Sequence, residues 1–345
     1  MKADPDVLYR LPWTLSDNIL AWLIPTRNCT LHCPGCFSTN ASGSHKSLEE
    51  IQAYIDRLRR RQKSDVLGIG GGEPLTHPGL EKVVEYSSRK GYKPIVMTNG
   101  IAMTPARMAN LKAAGMKGVY FHVDSLMDRP GWEGATEAEL NELRAFYAGM
   151  TAEAGGLTCY LSATIADSNA DQVPGMLEWA RDHADTVHMM QFINFRRPDA
   201  SHSAGALPGE TSIDDLLSQA RSSEPGFSPC AYVDGGKDNA VRWLISLRAA
   251  VGGETFGYFG PRFAESLQIF SHLLRGKYLA PGASRNGRTA LLASLFERNS
   301  REAALAYAGS CLRNPRNVVK PINIQTVLFV QPNTLTQDGG LDFFL

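Results

Sequence analysis

Between Ala21 and about Arg197, six short apolar runs alternate with longer amphipathic segments, and this repeat constrains the chain more than any other feature. The runs Ala21–Ile24, Val66–Ile69, Pro94–Thr98, Gly118–Val123, Thr158–Ile165 and Val187–Phe195 read as strands. Between them Ser47–Gln62, Pro78–Lys90, Pro105–Ala114, Glu137–Ala154 and Val173–Ala184 read as helices, the first opened by a Ser-Leu-Glu-Glu start. Such alternation predicts an α/β fold with a mostly parallel sheet, and right-handed crossovers curl that sheet toward a partial (β/α)6 TIM-like barrel. Ligands in these sheets gather at the carboxyl ends of the strands. The distinctive residues of this chain fall there: a cysteine loop after the first strand, GGGEP after the second, TNG after the third and DSL after the fourth.

The 345 residues suit one large domain with a smaller appended region. The expected division is an N-terminal extension (1–20), a core (21–197), a linker or lid (198–226) and a C-terminal region (227–345). The linker is suggested by the polar, Gly/Pro/Ser-rich stretch Arg196–Ser212. Beyond it the chain reads as mainly helical; Phe263, Leu267, Phe270 and Leu274 form a stripe expected to pack as core, with a membrane anchor as the alternative, and the region is expected to cap the substrate pocket. From Arg242 to Lys320, twelve Lys/Arg face four acidic residues. That basic bias is read as a face balanced by the acidic remainder, or as a site for an anionic substrate or a membrane surface. With 43% hydrophobic and 20% charged residues the chain reads as a soluble globular protein. No secretory leader and no run of about 18 apolar residues is visible. The cytoplasm is the expected compartment, with peripheral contact at the inner membrane surface as the further alternative, and no nucleic-acid partner is expected.

Cys29, Cys33 and Cys36 crowd into eight positions of a chain with six cysteines. In a reducing compartment such a cluster reads as a metal or redox site. Thiolates select zinc or iron–sulfur, and structural zinc is closed by four ligands. His32 is adjacent to Cys33 and awkward as a fourth ligand, and the next candidate is His45. A [4Fe–4S] cluster on three cysteines instead keeps one iron open for a non-protein ligand.

C-x3-C-x2-C directly after the first strand, followed by Gly-Gly-Glu after the second, resembles the signature of the radical S-adenosylmethionine (SAM) superfamily. The resemblance implies a [4Fe–4S] cluster on Cys29, Cys33 and Cys36, with SAM on its open iron. It also implies reductive cleavage of SAM to a 5′-deoxyadenosyl radical and hydrogen-atom abstraction from a substrate. Within GIGGGEPL, it implies that Gly71, Gly72, Glu73 and Pro74 line the methionyl end of SAM. A dinucleotide-binding turn fails on spacing, because Glu73 stands where its last glycine belongs. Thr98 and Asn99 are placed near the adenosyl group, although a plain Asn-Gly turn explains the same residues. Asp124 and Ser125 offer acceptors for ribose hydroxyls, and Ser162 and Thr164 contacts to the SAM carboxylate. Arg196 and Arg197 suit a carboxylate or phosphate, with solvated arginines as the alternative. The run Cys33-Pro34-Gly35-Cys36-Phe37 resembles the CPxCF loop of class D radical SAM methylases and tetraether synthase-like enzymes, with Phe37 as a cofactor contact. Those enzymes carry further cysteine-rich sites. Here Cys159, Cys230 and Cys311 read as buried or incidental thiols, with an auxiliary cluster as the alternative.

The expected function is therefore modification of an unactivated C–H position of an amphiphilic or anionic small molecule or lipid, by methyl transfer or C–C bond formation. Dehydrogenation, epimerisation or peptide modification stays open, as does a non-catalytic metal-binding module. The residues name no catalytic acid or base. A flavodoxin or ferredoxin is the implied electron donor.

Overall fold

A computed structural model describes residues 3–14, 16–34, 36, 38, 40–127, 129–196, 208–235, 241–251, 254–280, 297–320 and 322–332. Six parallel strands form in the expected places: β2 (Leu20–Thr26), β3 (Val66–Gly71), β4 (Lys93–Thr98), β5 (Gly118–His122), β6 (Thr158–Ile165) and β7 (Val187–Asn194). The helices α1 (Leu48–Arg61), α2 (Leu80–Arg89), α3 (Pro105–Ala113), α4 (Asn141–Ala154) and α5 (Val173–Asp182) connect them. Helix α1 begins where Ser47 and Glu50 close a reciprocal capping box, and it buries Ile51 and Ile55, four residues apart, against the sheet.

Period-two alternation gives the sheet two faces with different duties. Leu67 and Ile69 of β3, Val119 and Phe121 of β5, and Met190 and Phe192 of β7 join the helices in the main core. The residues between them, including Val66, Tyr120 and Met189, face the opposite side and line a cavity. On that side the indole of Trp22 lies over Gly68 and Gly70; any larger residue at either position would run into the ring.

The C-terminal part departs from a mainly helical reading. It contributes β8 (Ala231–Asp234), β9 (Val241–Val251), β10 (Glu254–Tyr258) and β11 (Asn323–Val330), as well as α7 (Pro261–Arg275) and α8 (Arg298–Arg313). Strand β11 runs parallel to β7 and antiparallel to β9, so it extends the barrel wall by a seventh parallel strand. The two-residue β1 (Tyr9–Arg10) pairs with β8, so the N-terminal extension forms the far edge of the same sheet. The strand order is β1-β8-β9-β11-β7-β6-β5-β4-β3-β2, with β10 on β9, and the sheet stays open. Helix propensity in VRWLISLRAAV, rich in Leu, Arg and Ala, is overridden because β9 is held on both edges by partners.

Two further expectations change. Of the stretch 198–226, residues 198–207 lie outside the described residues, while α6 (Ile213–Ser223) buries Ile213, Leu216, Leu217 and Ala220 in the main core. On α7 only the first half of the stripe packs: Phe263 is buried and Leu267 partly so, whereas Phe270 and Leu274 are 62% and 83% exposed. Among the described residues no helix is long and apolar enough to cross a membrane.

Candidate active site

The loops after β2, β3 and β4 are knitted together by their own polar groups. Gly72 N–H donates to the Thr26 carbonyl (3.0 Å) and Glu73 N–H to the Asn28 carbonyl (2.7 Å). A Cβ at Gly72 would collide with the backbone of Arg27 and Asn28, and Gly71 adopts φ +116°. These two glycines therefore serve the docking of the Gly-Gly-Glu loop on the cysteine loop, in addition to lining the cavity. The Glu73 side chain is 1% exposed: Oε1 accepts from Leu75 N–H (2.9 Å) and Thr98 Oγ1 (2.7 Å), and Oε2 from Asn99 N–H (2.7 Å). Burial still leaves its carboxyl above the usual carboxylate range. Asn99 reaches the cysteine loop through Nδ2, which donates to Thr30 Oγ1 at 3.0 Å. Pro74 is buried at the start of a short 3-10 turn.

Cys29, Cys33 and Cys36 all line the cavity. Asn40 clamps their loop, its Oδ1 accepting from Cys29 N–H (3.1 Å) and its Nδ2 donating to the Cys29 and Leu31 carbonyls (3.1 and 3.2 Å). Desolvation raises the Cys29 and Cys33 thiols, and Cys33 is pushed further up by the nearby Cys36 and Asp124. Thiols that raise one another's pKa are close neighbours and must release protons to bind metal. Three soft thiol donors sharing one cavity suit an iron–sulfur cluster.

The ends of β5 and β6 form a second polar group. Asp124 accepts from Leu126 N–H (3.0 Å) on Oδ1 and from Thr164 N–H (2.8 Å) on Oδ2, and His122 Nε2 lies 3.0 Å from Oδ2. Burial works against its charge, yet His122 and these donors hold the carboxyl below its ordinary range. His122 Nδ1 meets Ser162 Oγ at 2.6 Å, and Nε2 meets Thr164 Oγ1 at 3.2 Å. Asp124, Thr164 and His122 line the cavity. Ser162 is fully buried behind His122, where Tyr120 also bonds to it. Ser125 turns away too: its hydroxyl donates to Glu137 Oε1 (2.7 Å) and accepts from Asn169 Nδ2 (3.3 Å). Arg196 lines the cavity and donates to the Pro332 carbonyl at 3.4 Å. Phe37 and Arg197 lie outside the described residues.

Several organising residues carry no motif. Arg144 and Glu137 form an ion pair with both side chains at most 1% exposed, and Arg144 also donates to the Val123 carbonyl (2.9 Å), fixing the Asp124 turn from behind. Arg129 donates to the Asn99 and His122 carbonyls, bridging the ends of β4 and β5. The polar mouth opens on a cavity of about 250 Å³ whose depth is apolar, walled by Leu20, Val66, Ile95, Tyr160, Met189 and Leu328. Cys159 and Cys230 sit in separate core clusters, burial pushing each thiol up to about 12, and Cys311 is half-buried.

Residues 23–145, which hold all three cysteines and the Gly-Gly-Glu loop, match the family described as the radical SAM superfamily. Over that stretch the chain is similar to radical SAM proteins. Members use a [4Fe–4S] cluster and SAM. The chain is 23% identical over 188 residues to the AdoMet-dependent heme synthase of Methanosarcina barkeri, covering 52% of each. It is 28% identical over 175 residues to the PqqA peptide cyclase of Xanthomonas campestris pv. campestris, covering 48% of this chain and 46% of that one. With the 7,8-dihydro-6-hydroxymethylpterin dimethyltransferase of Methanocaldococcus jannaschii it shares 25% over 210 residues, 59% of this chain and 41% of that one. The chain thus spans about half the length of the curated relatives it matches. Among solved structures, Streptococcus suis SuiB aligns over 64% of this chain and 50% of its own, with TM-score 0.49 and 13% identity. Native anSMEcpe with bound AdoMet aligns over 76% of this chain and 68% of its own, with TM-score 0.45 and 16% identity.

Proposed function

We propose that this chain is a radical SAM enzyme that modifies an unactivated C–H position of an amphiphilic or anionic small molecule or lipid, by methyl transfer or C–C bond formation. The observation that carries the reading is one continuous cavity with three thiols at its polar mouth and an apolar depth on the concave face of the sheet. Cys29, Cys33 and Cys36 are the proposed cluster ligands; when bound, cluster and SAM together supply a 5′-deoxyadenosyl radical. Gly71 and Gly72 shape the methionyl subsite, and Glu73, spent on Thr98, Asn99 and Leu75, holds that subsite against the end of β4. Asp124, with Thr164 and His122, presents acceptors suited to ribose hydroxyls. Arg196 at the mouth suits an acidic head group, while the wall from Met189 to Val66 excludes water from an apolar body.

Dehydrogenation, epimerisation or peptide modification at the same radical is the alternative outcome, and the relatives include both a pterin methyltransferase and a peptide cyclase. A flavodoxin or ferredoxin is the proposed electron donor. The deciding experiment is anaerobic reconstitution with iron and sulfide, reduction, addition of SAM and assay for 5′-deoxyadenosine. Product is expected from the wild type and not from the Cys29→Ala/Cys33→Ala/Cys36→Ala variant, which should also lose its brown colour. A full iron complement that yields no 5′-deoxyadenosine would leave only a metal-binding module. For the substrate class, the same 5′-deoxyadenosine assay run with added amphiphiles and with added peptides separates the two outcomes by which one stimulates turnover.

A further inference from the structure

The two halves of α7 differ in what covers them. Its first half, through Ala264 and Leu267, roofs a second cavity of about 40 Å³ that shares Ala280 with the wall of the main cavity. Along the outward side of its last two turns Ile269, Phe270, Leu273 and Leu274 are 46%, 62%, 74% and 83% exposed. At about 100° per residue these four fall on one arc of the helix, a contiguous strip rather than the scattered exposure normal for a soluble surface.

The same end of the helix is cationic. Arg275 closes α7, Gly276 caps it at φ +66°, and Lys277 follows. Arg275 pairs with Asp65, Lys277 Nζ lies 2.7 Å from that carboxylate and Lys93 Nζ 3.1 Å from it. Among the described residues, three cations share this one carboxylate beside the apolar strip, an excess of positive charge. Asp65 immediately precedes β3 and Lys93 opens β4, so the cluster marks the amino ends of the strands. The apolar wall of the main cavity ends there as well, on Leu20 and Val66.

We propose that the outer face of α7 docks this protein on an anionic lipid bilayer, Ile269, Phe270, Leu273 and Leu274 entering the acyl boundary while Arg275, Lys277 and Lys93 meet the lipid phosphates. The arrangement of apolar strip and flanking cations is that of an interfacial helix. Delivery of an amphiphile from the bilayer through the space beneath α7 rests on the functional reading above; the docking itself does not.

The test is flotation of the full-length protein with vesicles of phosphatidylcholine alone or mixed with phosphatidylglycerol. The wild type is expected to float with the anionic vesicles, to be released by added salt and to ignore the neutral ones. The Phe270→Glu/Leu274→Glu variant, changed at two exposed positions, is expected to keep its thermal midpoint and to partition about tenfold more weakly. Absence of wild-type flotation, or equal flotation of the variant, overturns the proposal. So does a wild-type dimer that the variant dissolves while neither floats, because the strip then faces a second copy. Formation of 5′-deoxyadenosine in solution is expected to be equal in both proteins. Its absence in both would remove the radical reading and leave the flotation result standing.

Discussion

At the scale of single residues, Gly72 shows how little freedom the site has. The backbone of Arg27 and Asn28 occupies the space a side chain would need, and the hydrogen bonds of Gly72 and Glu73 to that backbone join two loops. Gly72→Ala is expected to cost about 1–3 kcal/mol and to lower iron retained per chain after reconstitution, read by iron counting beside a denaturant melt. Arg144 is a different case, distant from the cavity surface yet buried against Glu137 and the Val123 carbonyl. Arg144→Met strands a buried carboxylate, so a loss of about 3–5 kcal/mol in unfolding free energy is expected. A midpoint near wild type would show that Glu137 finds other partners. The cysteines and Gly-Gly-Glu were legible because their chemistry is written in consecutive positions. Asn40, Arg129, His122 and Glu137 were not, since each gains its role only when ends of different strands meet. The same physics hid the fate of Ser125 and Ser162, whose hydroxyls are taken by Glu137 and His122 before a ligand can use them.

At the scale of elements, the six βα units were readable because each strand divides its residues between helix layer and cavity with period two. Strand β9 was not, since its Leu, Arg and Ala content favours a helix and its partner β11 lies some 80 residues on. One of its two arginines is accommodated by partners from elsewhere: Arg248, 1% exposed, donates to Gln325 Oε1 at 2.7 Å and faces Glu224 and Tyr258. A charged residue in a strand core is invisible to a pattern that counts apolar positions. The tie between α7 and the sheet is electrostatic and carries a pH signature. Burial raises Asp65, but hydrogen bonds from Lys277 and Lys93 outweigh it and bring the carboxyl down to about 2. A carboxylate lowered by folding contributes stability above its unfolded pKa and loses it as pH falls through the folded value. The contribution, on the order of 2 kcal/mol, is therefore present at neutral pH and disappears between about pH 4 and pH 2. Asp65→Asn should be less stable than wild type at pH 7 and converge with it at the acid end; parallel stability curves across that window would contradict the tie.

For the whole molecule, what matters is that the C-terminal strands finish the cavity. Strand β11 enters the sheet beside β7, and Leu328, 2% exposed, faces inward opposite Gln191 and Ile245. The polar end of the cavity is built from residues 29–164, and Met189, Ile193, Trp243, Leu328 and Val330 complete an apolar wall begun by Leu20, Val66, Ile95 and Tyr160, so part of the pocket lies outside the stretch that carries the cysteines. That separation makes the two testable apart. Leu328→Trp adds several heavy atoms to a space of about 250 Å³ without touching the cysteine loop, the Gly-Gly-Glu loop or the Asp124 turn. Cluster loading and 5′-deoxyadenosine formation in the absence of substrate should stay at wild-type level. Binding of a long-chain amphiphilic fluorophore, read by its emission and by competition with an unlabelled fatty acid, should weaken by about tenfold, the scale of filling a preformed apolar pocket. Unchanged binding would place the apolar ligand somewhere other than this cavity. Joint loss of binding and SAM cleavage would mean that the two halves of the sheet are not independent.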